Sequence, residues 1–228
     1  MAYLSVGRQS ANQNSLVKNG IGHSLSLSEI FPESAADAGA VGFVLCRIQS
    51  NPAPVLWVQD RLSGKEAGRP YLPGLNLRSP ILRVDVTRPA DVLLAMEDGL
   101  RCKGLSAVIG EVWGDPPVLG FTATKRLALR SEAGGVPCWL IRRATSPNLS
   151  AARDRWRIAS LPSASHPHDP TAPGDPRWRV ELFRSRQSRP GIWVATYDSA
   201  ADRVDFSASF RDGALAEADG KIGQRATG

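Results

Sequence analysis

The feature that most constrains this chain is a change of hydrophobic rhythm after Ile141. Up to that point, short apolar runs alternate with segments whose apolar residues recur at helical spacing. Beyond it, around a long Pro-rich loop, apolar and polar residues alternate in Arg155–Ala159 and Trp178–Phe183, and Gly191–Tyr197 follows as a third such segment. Compact apolar runs separated by helices are what strands buried on both faces require, because crossover helices cover both sides of a parallel sheet. One-by-one alternation marks antiparallel strands with one face in the core. The rhythm therefore predicts an α/β fold with a mainly parallel central sheet and an antiparallel C-terminal edge.

The elements follow from the same reading. Residues 1–23 are rich in Ser, Asn, Gly and Gln and lack periodicity, as expected of a flexible leader. A strand is expected over Ser24–Phe31, then a helix over Ala35–Ile48 that Pro52 and Pro54 stop. Val55–Val58 reads as a buried strand, and Arg61–Pro80 as a loop with at most one helical turn around Leu75. A strand over Ile81–Val86 precedes a helix opened by Pro89, with Thr87 as candidate cap. Its buried stripe is Val92, Leu93, Met96 and Leu100, and Glu97 and Asp98 are expected to face water. Leu105–Val112 reads as a central parallel strand and Thr122–Ala133 as a helix. That helix turns Leu127 inward and Lys125, Arg126 and Arg130 outward, and ends at Gly134 and Gly135. A buried strand over Val136–Ile141 comes next. Three antiparallel strands are expected at Arg155–Ala159, Trp178–Phe183 and Gly191–Tyr197, with Ser160–Pro176 a long loop. Residues 211–228 are small and polar and read as a disordered tail, leaving one domain over 24–210.

Composition removes several classes of function. At 228 residues the chain suits one domain of ordinary size. It contains no apolar run of the ~18 residues a membrane span needs, and Met1–Gly20 has no apolar core of a secretory signal. Cys46, Cys102 and Cys138 are an odd number at wide spacing, which suits a reducing cytoplasm and neither a disulfide framework nor zinc. Cys46 and Cys102 are expected as small core residues on helix faces, and His166 and His168 as surface residues of a Pro-rich loop. There is no GxSxG and no Cys–His signature, so nucleophilic catalysis has no footing. Of the net charge of +6, Lys125–Trp193 holds 13 basic and 5 acidic residues, a local +8 against −2 elsewhere. Such a block suits a phosphate backbone or an acidic partner; a solvated, Arg-rich face explains it equally well.

Several local words then suggest a family. Glu29-Ile30-Phe31-Pro32-Glu33-Ser34 resembles the strand and turn leading into the phosphate loop of RecA recombinases. Pro70–Arg83 is similar to the connection before the third RecA strand, Pro89–Glu111 to the helix and strand ending in the Walker B acid, and Arg177–Tyr197 to the terminal hairpin of that core. A closer resemblance is to the ImuA family, RecA-like proteins of bacterial damage-induced mutagenesis. It rests on Pro54-Val55-Leu56-Trp57, on Arg88-Pro89-Ala90-Asp91 with Ala95 to Cys102, on Gly110-Glu111-Val112, on Thr124 to Leu129, on Arg155-Trp156-Arg157 and on Arg177 to Leu182. In order, these words cover about residues 24 to 206. The resemblance implies a RecA-like P-loop NTPase core.

The chemistry of that core is missing from the sequence. A working phosphate loop needs GxxxxGK[ST]: glycines to let amides approach, a lysine for the β and γ charges, a hydroxyl for magnesium. The matching segment, Glu33-Ser34-Ala35-Ala36-Asp37, has no lysine, and Glu33 and Asp37 place negative charge where a triphosphate would sit. Glu111 stands at the Walker B position and reads as a hydrogen-bonded structural carboxylate in preference to a metal ligand. Asp60, after the second strand, is the candidate substitute for the glutamate that positions hydrolytic water in RecA. No cofactor, metal or ATPase activity is therefore expected.

In RecA, two loops bind single-stranded DNA. The first, Trp113–Gly120 here, is short, and the second would begin with Arg142 and Arg143. Arg153, Arg155, Arg157, Arg177, Arg179, Arg184 and Arg186 complete a candidate DNA- or partner-binding set. In each Arg-Trp-Arg word, strand geometry sends the tryptophan one way and both arginines the other, so buried tryptophans would align two arginine pairs outside. The resemblance implies an adaptor in SOS-induced translesion synthesis that binds an ImuB-type relative of Y-family polymerases. It further implies an error-prone C-family polymerase as partner, with RecA and single-stranded DNA as further candidates and no membrane. Two alternatives stay open: an ATP-dependent RecA-like DNA-binding protein, and a SulA-like cell-division inhibitor that binds FtsZ.

Overall fold

The computed structural model describes residues 25–48, 52–71 and 79–207. The leader, the tail and the helical turn expected around Leu75 fall outside the described residues. The strands are β1 (Leu27–Pro32), β2 (Val55–Asp60), β3 (Ile81–Val86), β4 (Ala107–Trp113), β5 (Cys138–Arg143), β6 (Asp154–Leu161), β7 (Arg177–Arg184), β8 (Gly191–Asp198) and β9 (Arg203–Ser207). The helices are α1 (Gly39–Ile48), α2 (Arg61–Glu66), α3 (Pro89–Gly99) and α4 (Phe121–Gly134).

These strands form one sheet in the order β3-β2-β4-β5-β1-β6-β7-β8-β9. From β3 to β6 every neighbour is parallel; from β6 to β9 every neighbour is antiparallel. β6 is therefore the seam, parallel to β1 on one side and antiparallel to β7 on the other, where its alternation alone predicts antiparallel pairing on both sides. β9 is a further antiparallel strand that the sequence reading misses. Its five residues send only Val204 and Phe206 inward, too short a pattern to stand out.

Two apolar layers sandwich the sheet. On one face, α1 packs over Ile30, Trp57, Ile109, Trp139, Ile141, Trp156, Ile158 and Trp178. Trp156 and Trp178 are core, as their alternation predicts, and Phe43 of α1 meets their rings at 5.8 and 6.0 Å. On the other face, α3 and α4 bring Val92, Leu93, Met96 and Leu127 onto Leu27, Val58, Val108, Cys138 and Leu140. The layers explain why β5 opens as a compact apolar run, and why β1, whose residues alternate in the sequence, hides even Ser28 and Glu29: each strand is buried on both sides.

Local chemistry moves several boundaries. The first helix begins at Gly39, not Ala35, because Asp37 Oδ1 accepts the Gly39 N–H at 2.7 Å and closes a turn first. The span expected as loop after β2 opens with α2, whose first turn Asp60 caps by accepting the Ser63 N–H at 2.7 Å. Thr87 is not the cap of α3. Arg88 occupies that position without a side-chain cap, and its guanidinium instead grips Asp91 at 2.8 and 2.9 Å. Glu97 does not face water: it is buried against Arg126 and Arg130 of α4. Because α3 ends at Gly99, Cys102 lies past it and is exposed, while Cys46 is half-buried. Gly135 ends α4 at φ 66°, a left-handed cap that suits a residue without Cβ.

Candidate functional site

β1 delivers residues 33–38 to the C-terminal edge of the sheet, where ligands bind in open α/β folds. What fills this edge is Arg143, the last residue of β5. Its Nε donates to Glu111, and its Nη1 donates to the carbonyl oxygens of Ala35 at 2.7 Å and Asp37 at 2.9 Å. A phosphate loop points backbone N–H groups at an anion. Here two carbonyls point at a guanidinium, so the local polarity is inverted. The N–H of Gly39, which opens α1, is already taken by the Asp37 carboxylate, whose other oxygen accepts the Ser160 N–H at 2.8 Å. Glu33 is held by Arg179 of β7. Ser34 and Ala36 are exposed on this turn and Ala35 is half-buried. The Glu33 and Asp37 carboxylates and the carbonyls of Ser34, Ala35 and Asp37 are thus committed to the protein's own structure.

Glu111 is fully buried and both its oxygens are used. One accepts from Arg143; the other accepts from Gln59 Nε2 at 2.9 Å and Trp57 Nε1 at 3.3 Å. Burial pushes its carboxyl above the ordinary carboxylate range, against the opposing pull of Arg143 and of the Trp57 and Gln59 hydrogen bonds. A carboxylate so occupied has no oxygen facing a metal-bound water. Among the described residues no group of His, Cys, Asp and Glu has metal-ligand geometry. Asp60 is likewise spoken for: one oxygen caps α2 and the other accepts the Trp113 N–H at 3.1 Å.

The arginine set divides. Arg142 and Arg143 are not loop residues that reach for phosphate; pairing with β4 continues through them, and both are buried. Arg142 binds Asp115 at 2.5 Å and Asn148 at 2.7 Å and faces Glu29 at 3.6 Å. Glu29 in turn takes Arg155 at 2.7 Å. Arg155 therefore lies inside as well, and the expected pair of arginines outside Trp156 is reduced to Arg157. The reason is Glu29, a lone carboxylate in an apolar strand, which draws a guanidinium from each neighbouring strand. Phe31 and Phe183 fill the gaps of this ladder: Arg155 stacks at 5.2 Å from Phe31 and 5.3 Å from Phe183, and Arg157 at 4.6 Å from Phe183. Arg153 is paired with Glu132, and Arg157 with Glu181. Arg177 and Arg184 form no ion pair among the described residues, Arg186 acts on Glu132 only through its charge, and Arg184 and Arg186 are exposed. Glu29, Asp115 and Asn148 are the functional partners the sequence reading missed. The signal available was the single charge inside the apolar run of β1.

This geometry can be set beside known proteins. The chain is 35% identical over 185 residues to Protein ImuA of Caulobacter vibrioides, in two strains, a span covering 74% of this chain and 72% of that protein. The chain belongs to the ImuA family. No family model matches it. Among solved structures, that of the RadB recombinase superposes with a TM-score of 0.55, covering 85% of this chain and 97% of the recombinase at 13% identity. At that identity the likeness establishes the fold alone, and the fold is RecA-like.

In this ImuA-family chain, the two loops that resemblance to RecA would assign to DNA are clasped to one another. Asn148 Nδ2 donates to Asp115 at 2.9 Å, Arg142 grips both residues, and the Gly114 N–H donates to the Arg143 carbonyl at 2.8 Å. The Ala151 N–H then donates to Thr124 Oγ1 on α4 at 3.1 Å. Neither loop tip presents a cation: residues 114–120 and 144–149 carry one charge, that of Asp115.

Proposed function

We propose that this ImuA-family protein is a non-catalytic, RecA-like adaptor in SOS-induced, error-prone translesion synthesis in the cytoplasm. On this reading it holds an ImuB-type polymerase relative, works with an error-prone C-family polymerase and meets RecA on single-stranded DNA. One observation carries the non-catalytic part: the Arg143 guanidinium bonds to the carbonyls of Ala35 and Asp37 and to Glu111, filling the edge where a triphosphate would lie. A protein cation fixed to protein acceptors there leaves nothing to exchange for a nucleotide, which weighs against the ATP-dependent alternative. Family membership supports the adaptor part.

Melting the full chain with and without magnesium ATP tests this. A ligand at a hundredfold its Kd stabilises by about 2.7 kcal/mol, which a melting curve resolves. No shift and no phosphate release are expected; turnover by the pure protein would overturn the reading. Co-purification with an ImuB-type protein tests the adaptor part, and its absence would overturn that.

A further inference from the structure

No part of the described fold covers the outer face of α4. Its inner face buries Ala123, Thr124, Leu127, Ala128 and Ser131. Outside, Phe121, Lys125 and Leu129 stand four residues apart and so form one row. The clasped loops extend that row. Leu149 is fixed between Asn148, tied to Asp115, and Ala151, tied to Thr124, which places it beside the first turn of α4. Val118 precedes that turn, and Ser26 Oγ donates to Glu132 at 2.9 Å, setting Leu25 by the last turn. Exposures are 44% for Val118, 44% for Phe121, 52% for Leu129, 71% for Leu149 and 58% for Leu25. Single exposed apolar residues are ordinary; two on the outer face of α4 with Val118 and Leu149 at its start and Leu25 by its end mark an interaction surface.

The charges beside the band are mainly positive. Lys125 lies within it, and Arg126 and Arg130 flank it, sharing the single buried Glu97 at 2.8 and 3.1 Å. Arg153 and Glu132 close the far rim as a pair. A second copy of this chain is a poor occupant, because a two-fold contact sets a patch against itself and would bring these cations together. A nucleic acid is also a poor occupant: phosphates need surface cations at their contacts, and the centre of the band is aliphatic and aromatic.

We propose that the band Val118, Phe121, Leu129 and Leu149 is the docking site for an acidic amphipathic helix of a protein partner, its apolar stripe on the band and its carboxylates on Lys125, Arg126 and Arg130. The inference rests on the adaptor reading for the existence of such a partner, and on the exposed band for its place and chemistry.

Two probes separate the inference from that reading. The first is a fluorescent synthetic helix of leucine and glutamate heptads, followed by anisotropy against the full chain. The second is the ImuB-type protein of the adaptor reading. The variant F121D/L129D, whose changes are on the surface and whose melting temperature serves as folding control, is expected to lose about tenfold or more in affinity for both, as when buried Phe and Leu leave an interface core. Lys125→Glu is expected to weaken both and to flatten their salt dependence. A peptide that fails to bind the wild-type chain, or that binds F121D/L129D as well, overturns the inference. A polymerase relative that binds both forms equally also overturns it while leaving the adaptor reading intact. Peptide binding without partner binding would sink the adaptor reading and support the band. An oligo(dT) strand that displaces the peptide, or a dimer of the wild-type chain that F121D/L129D abolishes, would assign the band to another occupant and overturn the inference.

Discussion

Replacing Arg143 with methionine removes the cation that joins β5, β4 and the turn of Ala35 to Asp37. Glu111 would stay fully buried with only Trp57 and Gln59 as donors. Breaking a buried pair from one side costs about 3–5 kcal/mol, because the remaining charge is uncompensated. The carbonyls of Ala35 and Asp37 add less, since both residues are half-buried and water can reach them. Against a typical domain stability of about 5–15 kcal/mol, the variant should remain folded but melt far earlier. Urea unfolding followed by circular dichroism gives the value, and the cycle of R143M, E111L and the double variant gives the coupling. An apolar pair of similar volume is often neutral in place of a buried ion pair, so the double variant is expected to recover about 2 kcal/mol or more relative to the sum. The pH dependence has a definite sign. Burial already raises the Glu111 carboxyl, and Arg143 opposes that rise; without Arg143 the folded-state value climbs further. A group raised on folding stabilises below its unfolded value and loses that contribution as pH rises through the folded one. The R143M deficit should therefore shrink as pH falls from neutral toward the ordinary carboxylate range. A loss below about 1 kcal/mol, an additive cycle, or a deficit that grows on acidification would refute this account of the site.

Other consequences follow from the packing. Native thiol titration with a maleimide should find one fast cysteine, the exposed Cys102; burial pushes the Cys46 thiol up to about 12, with Asp202 adding to it, and raises the buried Cys138 also. Three equal rates would show that the core is open. Gly134→Ala would set a Cβ 2.4 Å from the backbone oxygen of Leu100, which cannot yield as a side chain can. Helix propensity alone would make this change stabilising by about 1 kcal/mol, whereas the clash makes it destabilising by about 1–3 kcal/mol. The sign of the measured change decides between the two.

Much of the fold was legible because burial on two faces and on one face leave different periodicities. The central strands β2, β4 and β5 and the change to antiparallel pairing beyond β5 were readable for that reason, whereas β1 alternates like a one-faced strand although it is buried on both sides. Elements without a period were not. Six-residue α2 contains Gly64 and depends on the Asp60 cap, and β9 offers only two inward residues. At the site, the absent lysine and the role of Glu111 as a bonded carboxylate could be read directly. The place of Arg142 and Arg143 could not. Two arginines after an apolar run look like the start of a loop, yet the strand continues through them because Glu29, Asp115 and Glu111 supply the counter-charges.

The order of residues by itself determined the α/β class, the switch from parallel to antiparallel, the burial of Trp156 and Trp178 and the absence of a GxxxxGK[ST] pattern after β1, since each depends on the kind and spacing of neighbouring residues. The tertiary structure alone decided which charges are surface and which are core. The guanidinium groups of Arg142, Arg143 and Arg155 are buried where carboxylates from other parts of the chain meet them, and such meetings join residues far apart in sequence, 126 positions for Arg155 and Glu29.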